Sequence, residues 1–406
     1  MRRFCFAFAA AALIFAQHVS ALNLQDFAQC IGPQGQGHLC QLDARTYQIS
    51  TQLQIGRSNI TIKGTILTSA SDTVLQRAPG FQGELLQDIA STNGAPVLHS
   101  VTIRDLTVDG NRDQNTYAYT SYRPEVNFFS TASVLVTNCD FINSPFISLA
   151  FYGGGTSGVV INNSYFANPV VFGVWSDTTA FAGNFTYLNC ATAHFINNFV
   201  VANSQFKDAN EGAILAEGTN FQILGNTFTN NHSYPVSFND DGGQIDLTEC
   251  MDNAAIVGNS FQNASAASTG HFVTGVELHG TNLTLVNNTI TNNSADGIDI
   301  QGGANVFISN WNQATGTIGN QMKGITFAQL TADSSLRPVD FITVDRANVI
   351  NNGDWALWST TTGVPINHLT ITNSCLANNS EGVSSLSGLG TDVLIQNNSV
   401  SGCGPK

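Results

Sequence analysis

The chain has 406 residues, of which 28 are acidic and 14 basic, so its formal net charge is −14 at pH 7. Nucleic acids and anionic membranes are bound by clustered Lys and Arg, and this acidic balance argues against both as partners. Only 10% of the residues are charged, whereas Gly (37) and Phe (26) are plentiful. The chain must therefore bury a large apolar interior under an uncharged polar surface, a composition common in β-solenoids.

The first 21 residues have the order of a secretory signal peptide. Two arginines precede an apolar run over residues 4–16, and small residues follow up to Ala21. We therefore predict cleavage after Ala21, release into an extracellular or periplasmic compartment, and a single mature domain over residues 22–406. The apolar run is shorter than the about 20 residues of a membrane span, so no membrane partner is expected.

Two segments near the start of the mature chain carry the pattern of a known fold. Residues 39–64 read LCQLDARTYQISTQLQIGRSNITIKG, and residues 101–112 read VTIRDLTVDGNR. They resemble the first coils of the pectate-lyase-like superfamily, with Arg45 at a turn position that is usually Gly. The resemblance implies an all-β fold, a single-stranded right-handed parallel β-helix over nearly all of the mature chain. Because that superfamily includes lyases, hydrolases, epimerases and adhesins, the function must be argued from a site.

One short pattern recurs through most of the remaining chain: alternating apolar residues, an Asn, a second short strand and a polar turn. Examples are FQILGNTFTN from Phe221, AAIVGNSFQN from Ala254 and LTLVNNTITN from Leu283. The period-two alternation excludes helical repeats, and the repeat length indicates stacked β coils. Equivalent inward positions are predicted at Ile223, Ile256, Leu285 and Ile308.

Asparagines follow the first strand of successive repeats, as at Asn226, Asn259 and Asn288. At one corner of stacked coils, such residues can adopt left-handed backbone geometry and pass side-chain hydrogen bonds from coil to coil. We therefore interpret the Asn-Asn pairs as structural. Several asparagines also form sequons that permit glycosylation in a eukaryotic host, namely Asn162, Asn184, Asn231, Asn282 and Asn287.

The cysteine count is odd once Cys5 is removed with the signal segment. Cys30 and Cys40 flank a Gly-rich turn, and Cys375 and Cys403 lie about one coil apart, so two disulfides are expected at the two ends of the domain. Their spacing matches no metal site built on thiolates. The sequence leaves open which thiol is unpaired among Cys139, Cys190 and Cys250.

A second recurring strand, usually opened by Gly, carries the candidate catalytic residues. In TGVELHG (274–280) and DGIDIQG (296–302) the apolar side chains point inward, so Glu277, His279, Asp299 and Gln301 are predicted to point outward. Neighbouring parallel strands lie about 4.8 Å apart, which should stack Glu277 on Asp299. Mutual repulsion raises the pKa of one carboxyl and leaves the other charged, the division that a glycosidase needs. His279 could tune the pKa of either.

Other candidates surround this pair. The predicted outward column also contains Trp175, as an exposed platform for a sugar ring, together with Ser237 and Thr326. Lys323 would be the base of a lyase reaction. ADGIDIQGGANVFISN is similar to the segment of polygalacturonases that holds a catalytic aspartate, which places Asp296 in the motif, although the other signatures of that family are absent in order. The predicted substrate-binding residues are Trp175, Asp177, Asn239, Asp240, Asp296, Gln301 and Lys323.

Acidic residues in the segment before Cys250 are expected to overhang this face from loops. Three of them, Asp241, Asp246 and Glu249, could bind calcium, but no firm metal site is predicted and no cofactor is required.

Three functions remain open, all with a polysaccharide as partner. The first is an enzyme that cleaves or rearranges glycosidic bonds with Glu277 and Asp299. The second is a polysaccharide lyase or uronate epimerase, which could use calcium; the scarcity of basic residues on the face counts against it. The third is a non-catalytic glycan-binding or surface solenoid in which the carboxylate pair is incidental.

Overall fold

The computed structural model describes the chain from residue 22 onward, apart from several short segments. The segments outside the description are 70–71, 89–96, 116–122, 153–155, 178–195, 234–242, 248–249, 267–272, 311–315, 329, 333–334, 338, 361–364, 402 and 404–406. The predicted signal segment, residues 1–21, also lies outside it. Within the described ranges, no helix has the length and apolarity that a bilayer crossing requires.

Three all-parallel sheets, here called sheets 1, 2 and 3, form the body of the molecule, because most coils contribute one strand to each. Sheet 1 has 13 strands, at Leu39–Gln41, Ile60–Lys63, Leu98–Arg104, Thr131–Thr137, Ser157–Asn162, Asn197–Ala202, Thr219–Leu224, Asp252–Val257, Thr281–Val286, Ala304–Ser309, Asp340–Asp345, Asn367–Thr372 and Leu394–Gln396. Sheet 2 has 11 strands, at Thr46–Ile49, Val74–Arg77, Thr107–Asp109, Asp140–Ile142, Tyr165–Ala167, Gln205–Lys207, Thr227–Thr229, Ser260–Gln262, Thr289–Thr291, Gly316–Ile318 and Val349–Ile350.

Sheet 3 has 12 strands, at Leu53–Ile55, Leu86–Asp88, Val126–Phe128, Leu149–Tyr152, Phe172–Asp177, Gly212–Ala216, Gly243–Leu247, Thr274–Leu278, Ile298–Gln301, Ile325–Ala328, Trp355–Thr360 and Gly382–Ser385. Two small additions are the parallel pair His232–Ser233 with Ser265–Ala266 and the antiparallel pair Leu330–Ala332 with Ser335–Arg337. A short 3-10 helix spans Arg112–Gln114. The predicted parallel β-helix architecture is confirmed.

The strand register follows the apolar alternation in the sequence. The four inward positions predicted to be equivalent are direct partners in sheet 1, in the order Ile223, Ile256, Leu285 and Ile308. All four side chains are at most 2% exposed. Each coil therefore buries its apolar face only by stacking on its neighbours, as the repeat pattern predicts.

Phenylalanines fill the interior behind sheet 2 in a continuous stack. Successive rings lie 4.9, 4.7, 4.9 and 4.6 Å apart, centroid to centroid, and nearly parallel. Each is at most 1% exposed, and burying such a side chain stabilises the fold by about 1.5–3 kcal/mol. The rings belong to Phe141, Phe166, Phe206, Phe228 and Phe261.

An asparagine ladder occupies the corner between sheets 1 and 2. Asn226 donates from its backbone N and its Nδ2 to Asn259 Oδ1 at 2.8 and 3.0 Å, and Asn259 donates in the same way to Asn288 Oδ1 at 3.0 and 3.0 Å. The structural interpretation of these residues is confirmed, but their predicted left-handed backbone is wrong. The positive φ angles belong to the preceding residues, Gly225 (62°), Gly258 (67°) and Asn287 (54°). That turn directs the next side chain into the buried corner.

One sequon also lies in a buried ladder. Asn231 is 0% exposed, and its Nδ2 donates to Gln244 Oε1 at 2.9 Å. Gln244 in turn donates to Asn293 Oδ1 at 2.8 Å. Because its side chain is enclosed, Asn231 offers no acceptor amide for a glycan in the folded state.

The first coil is closed by the helix α1 (Leu24–Ile31), which buries Phe27 and Ile31. The predicted disulfides Cys30–Cys40 and Cys375–Cys403 are both present. Cys250 is also disulfide-bonded. The unpaired thiol of the described part is Cys139, which is buried, and burial raises its pKa to about 12. A thiol in that environment is inert, which supports a packing role.

Candidate functional site

The candidate site lies on the outer face of sheet 3. Each strand there alternates buried inward residues with outward residues, and the register aligns the outward residues into one column. Glu277 and Asp299 are direct partners in this column, flanked by inward partners that belong to the apolar core. The acidic part of this column, here called the carboxylate column, contains Asp246, Glu277 and Asp299. The column continues through Thr326 to Trp358.

Asp246 occupies the place in the column that the sequence assigns to Ser237. Its strand, Gly243–Leu247, pairs with Thr274–Leu278 and aligns Asp246 with Glu277. The expectation that Asp246 overhangs the face from a loop is therefore wrong. Ser237 falls outside the described residues, as do the candidates Asn239, Asp240, Asp241 and Glu249. The backbone of Asp177 forms the end of a sheet 3 strand.

Trp175 is not an exposed platform, contrary to prediction. It belongs to the outward column but is only 2% exposed. Its ring packs edge-on against Phe172, with centroids 5.3 Å apart, in a second apolar cluster on the outside of sheet 3 that also contains Phe146 and Tyr152. The outer face of sheet 3 is thus apolar and covered at Trp175 and acidic at Glu277.

Gln301 and His279 hold the two central carboxyl groups. Gln301 Nε2 donates to Glu277 Oε1 at 3.1 Å and to Asp299 Oδ2 at 3.0 Å. His279 Nε2 lies 3.0 Å from the same oxygen of Glu277. Glu277 is 1% exposed and His279 5% exposed, so these contacts are shielded from water. Such hydrogen bonds hold a carboxyl group in one orientation.

Asp299 is held in an environment that favours its protonated form. Burial raises its pKa well above the ordinary value, and the charges of Glu277 and Asp296 raise it further, against smaller opposing effects of Gln301 and His279. Its Oδ1 is buried and has no hydrogen-bond partner among the described residues. A protonated Asp299 would therefore present an acidic hydroxyl without an internal acceptor.

Asp246, Glu277 and His279 form a group that could hold a metal ion. One potential ligand atom from each lies within 4.8 Å of the others. Asp246 Oδ1 is 3.8 Å from His279 Nε2, and its side chain is 23% exposed. Two carboxylates and an imidazole suit zinc or manganese better than calcium, which prefers an all-oxygen shell.

Asp296 and Lys323 flank the column and are bound to each other. Asp296 Oδ1 accepts the backbone N–H of Lys323 at 2.9 Å and lies 3.8 Å from its Nζ, while Oδ2 accepts the hydroxyl of Thr326. The Lys323 ammonium lies 4.5 Å from the ring centre of Trp358. Both predicted substrate-binding residues thus have internal partners, and Lys323, with a 13% exposed side chain, is poorly placed to act as a base.

Trp358 is the residue of this face that the sequence reasoning missed. It is partly exposed and lies two strands beyond Asp299 in the column, through Thr326. The segment WALWST (355–360) contains the required alternation, with Leu357 buried and Trp358 outward. The recurring strand pattern usually opens with Gly, whereas this strand opens with Trp355.

Comparison with known proteins identifies the fold. No protein-family model and no curated protein matches the chain. Among solved structures, the A-module of the Azotobacter vinelandii mannuronan C-5 epimerase AlgE6 matches with a TM-score of 0.59 at 14% identity, covering 91% of this chain and 92% of that one. The catalytic unit of the GH87 α-1,3-glucanase from Streptomyces thermodiastaticus matches with a TM-score of 0.53 at 15% identity, covering 93% of this chain and 65% of that one.

The chain folds as a right-handed parallel β-helix. At such low identity, the likeness between this β-helix and either enzyme is one of fold alone. Its chemistry therefore depends on the residues of its own carboxylate column.

Proposed function

We propose that the protein is a secreted carbohydrate-active enzyme that cleaves or rearranges glycosidic bonds in a polysaccharide. Asp299 is the proton donor, and Glu277, its covered neighbour in the column, is the second carboxyl group of the pair. The proposal is supported above all by one observation: the two carboxyl groups are stacked partners, and burial together with the charge of Glu277 raises the pKa of Asp299. Disulfides such as Cys30–Cys40 and Cys375–Cys403 are typical of an oxidising, extracellular or periplasmic compartment.

The contacts around the pair match the two roles. Protonation of the leaving oxygen needs an acid that is still protonated near neutral pH, and burial together with the neighbouring charges of Glu277 and Asp296 raises the pKa of Asp299. Glu277 is held in one orientation by His279 and Gln301 beside Asp299, from where its carboxylate stabilises the positive charge developing on the sugar ring.

The test is a screen of polysaccharides for new reducing ends, followed by substitution of each carboxyl group. Asp299→Asn and Glu277→Gln should each reduce the rate by at least about 100-fold while leaving the circular dichroism spectrum unchanged. Asp252→Asn is the matched control, since Asp252 lies on sheet 1. Unchanged turnover in both site variants would reject the proposed catalytic pair.

A polysaccharide lyase or uronate epimerase is a second candidate, favoured by the group of Asp246, Glu277 and His279. A divalent ion held there could neutralise a uronate carboxylate and so favour loss of the C5 proton. This reaction predicts unsaturated uronate products that absorb in the ultraviolet, or a changed uronate stereochemistry, with loss of activity after treatment with EDTA. Binding of a polysaccharide with none of these products would instead favour the non-catalytic alternative.

A further inference from the structure

We propose that the outer face of sheet 3 binds an uncharged polysaccharide along the column, with Trp358 as a stacking platform beyond Asp299. This inference rests on the proposed function and specifies its substrate class. It follows from the position of Trp358, from the contact that orients its ring, and from the charges around it.

The position of Trp358 defines a binding direction. Asp299, Thr326 and Trp358 are consecutive partners on neighbouring parallel strands. With about 4.8 Å between strands, the tryptophan lies about 10 Å from Asp299 along the axis of the helix. Trp358 therefore contacts a sugar other than the one whose bond is broken, which requires an extended chain as ligand.

The ring of Trp358 is oriented before any ligand arrives. The ammonium group of Lys323 lies 4.5 Å from the ring centre, and Asp296 holds Lys323 through its backbone N–H and lies 3.8 Å from its ammonium. A cation over the indole face is attracted to the ring, so it restrains the side chain. An aromatic side chain that is already ordered loses little conformational entropy when a sugar stacks on its free surface.

The charges on this face exclude an anionic polymer. Asp246, Glu277 and Asp296 lie in or beside the column, and the cation Lys323 is already paired with Asp296. The whole chain carries −14. A polyuronate would bring a carboxylate on each sugar into this field, whereas a neutral chain offers hydroxyl groups that can donate hydrogen bonds to the carboxylates.

The experiment is affinity electrophoresis of the Asp299→Asn variant, which retains the face but should not degrade the polymer. The gels contain the neutral polymers dextran, laminarin, xyloglucan or galactomannan, or the polyuronates alginate or polygalacturonate. We expect retardation by at least one neutral polymer and by neither polyuronate. Adding Trp358→Ala should weaken the binding roughly five- to tenfold, the loss expected when one aromatic stacking contact is removed.

Two further variants control for damage to the fold. Trp358→Phe retains an aromatic face and should restore most of the retardation. Trp355→Ala removes a tryptophan of the same strand that lies outside the outward column, and it should bind as the parent does. Retardation by a polyuronate, undiminished retardation in Trp358→Ala, or retardation by none of the six polymers would each overturn the inference.

These outcomes are separable from the fate of the proposed function. Binding is measured in a variant that lacks the proton donor, whereas catalysis is measured as product release by the unmodified protein. Neutral-polymer binding that depends on Trp358, without any product from the unmodified protein, would support the binding face and count against the catalytic pair.

Discussion

The asparagine ladder between sheets 1 and 2 and the carboxylate column on sheet 3 are both made by stacking similar polar side chains one coil apart. In the ladder, each amide donates to the coil on one side and accepts from the other, so Asn226, Asn259 and Asn288 satisfy one another. In the column, Glu277 and Asp299 are both acceptors when ionised, and they require Gln301 and a raised pKa to coexist. The same repeat geometry therefore stabilises the fold at the asparagine ladder. At the column it brings together two carboxyl groups that disfavour each other's ionisation.

Breaking the amide ladder should have the largest effect on stability. Asn259→Ala removes the acceptor for Asn226 and the bond from Asn259 Nδ2 to the carbonyl of Ile223 at 2.8 Å. Because buried polar groups are left without partners, we expect a loss of about 2–4 kcal/mol in the free energy of unfolding, measured by urea denaturation.

The matched control for this prediction is Asn197→Ala. Asn197 is exposed, and its Oδ1 accepts one bond from Asn220 at 2.7 Å. Since water replaces that bond, the loss should stay below about 0.5 kcal/mol. Similar losses in the two variants would show that burial of the ladder is not what makes it stabilising.

Replacing the ionisable carboxyl group of Asp299 should stabilise the protein. The folded state raises the pKa of Asp299, so wild-type stability falls as pH rises from the unfolded pKa to the folded pKa. Asp299→Asn avoids this loss, and its free energy of unfolding should exceed that of the wild type by about 0.5–2 kcal/mol near neutral pH. The gain should disappear in acid, where both forms are uncharged, and thermal melts across pH measure it.

An aspartate with the opposite shift sharpens this comparison. Burial opposes ionisation of Asp345, but hydrogen bonds from Asn373, Thr372 and Arg346 prevail and lower its pKa. Asp345→Asn should therefore lose stability near neutral pH, with a loss that shrinks as pH falls through the folded pKa. If both substitutions stabilised the protein, or neither did, the result would contradict the conclusion that ionisation is unfavourable at Asp299 and favourable at Asp345.

The smallest effect is expected at Gln301. Its bond to Asp299 favours the charged carboxylate, so Gln301→Ala should raise the pKa of Asp299 further. If Asp299 is the proton donor, the alkaline limb of the pH profile should move to higher pH, with turnover at the optimum falling about fivefold. Gln222→Ala, at an exposed position of sheet 1, is the control. A limb that stays in place or moves to lower pH would argue against Asp299 as the acid.

Some features of the column could be predicted because they depend only on local alternation. In TGVELHG and DGIDIQG, the alternation of apolar and polar residues predicts which side chains point outward. The spacing of the coils then predicts that Glu277 and Asp299 are partners on neighbouring strands. Coil lengths vary, however, and alternation could not choose between Ser237 and Asp246 as the neighbour of Glu277. In the structure, the strand Gly243–Leu247 pairs with both adjacent strands, which places Asp246 beside Glu277.

By itself, the sequence determined the parallel β-helix, the inward and outward parity of its strands and the disulfides at the two ends, because each follows from residue spacing within or between coils. Only the tertiary structure decided that Trp175 is covered, that Trp358 is partly exposed, and that Gln301 bridges the two carboxyl groups. Exposure and hydrogen bonding on the outer face depend on what neighbouring coils place against a side chain, and no pattern within one strand carries that information.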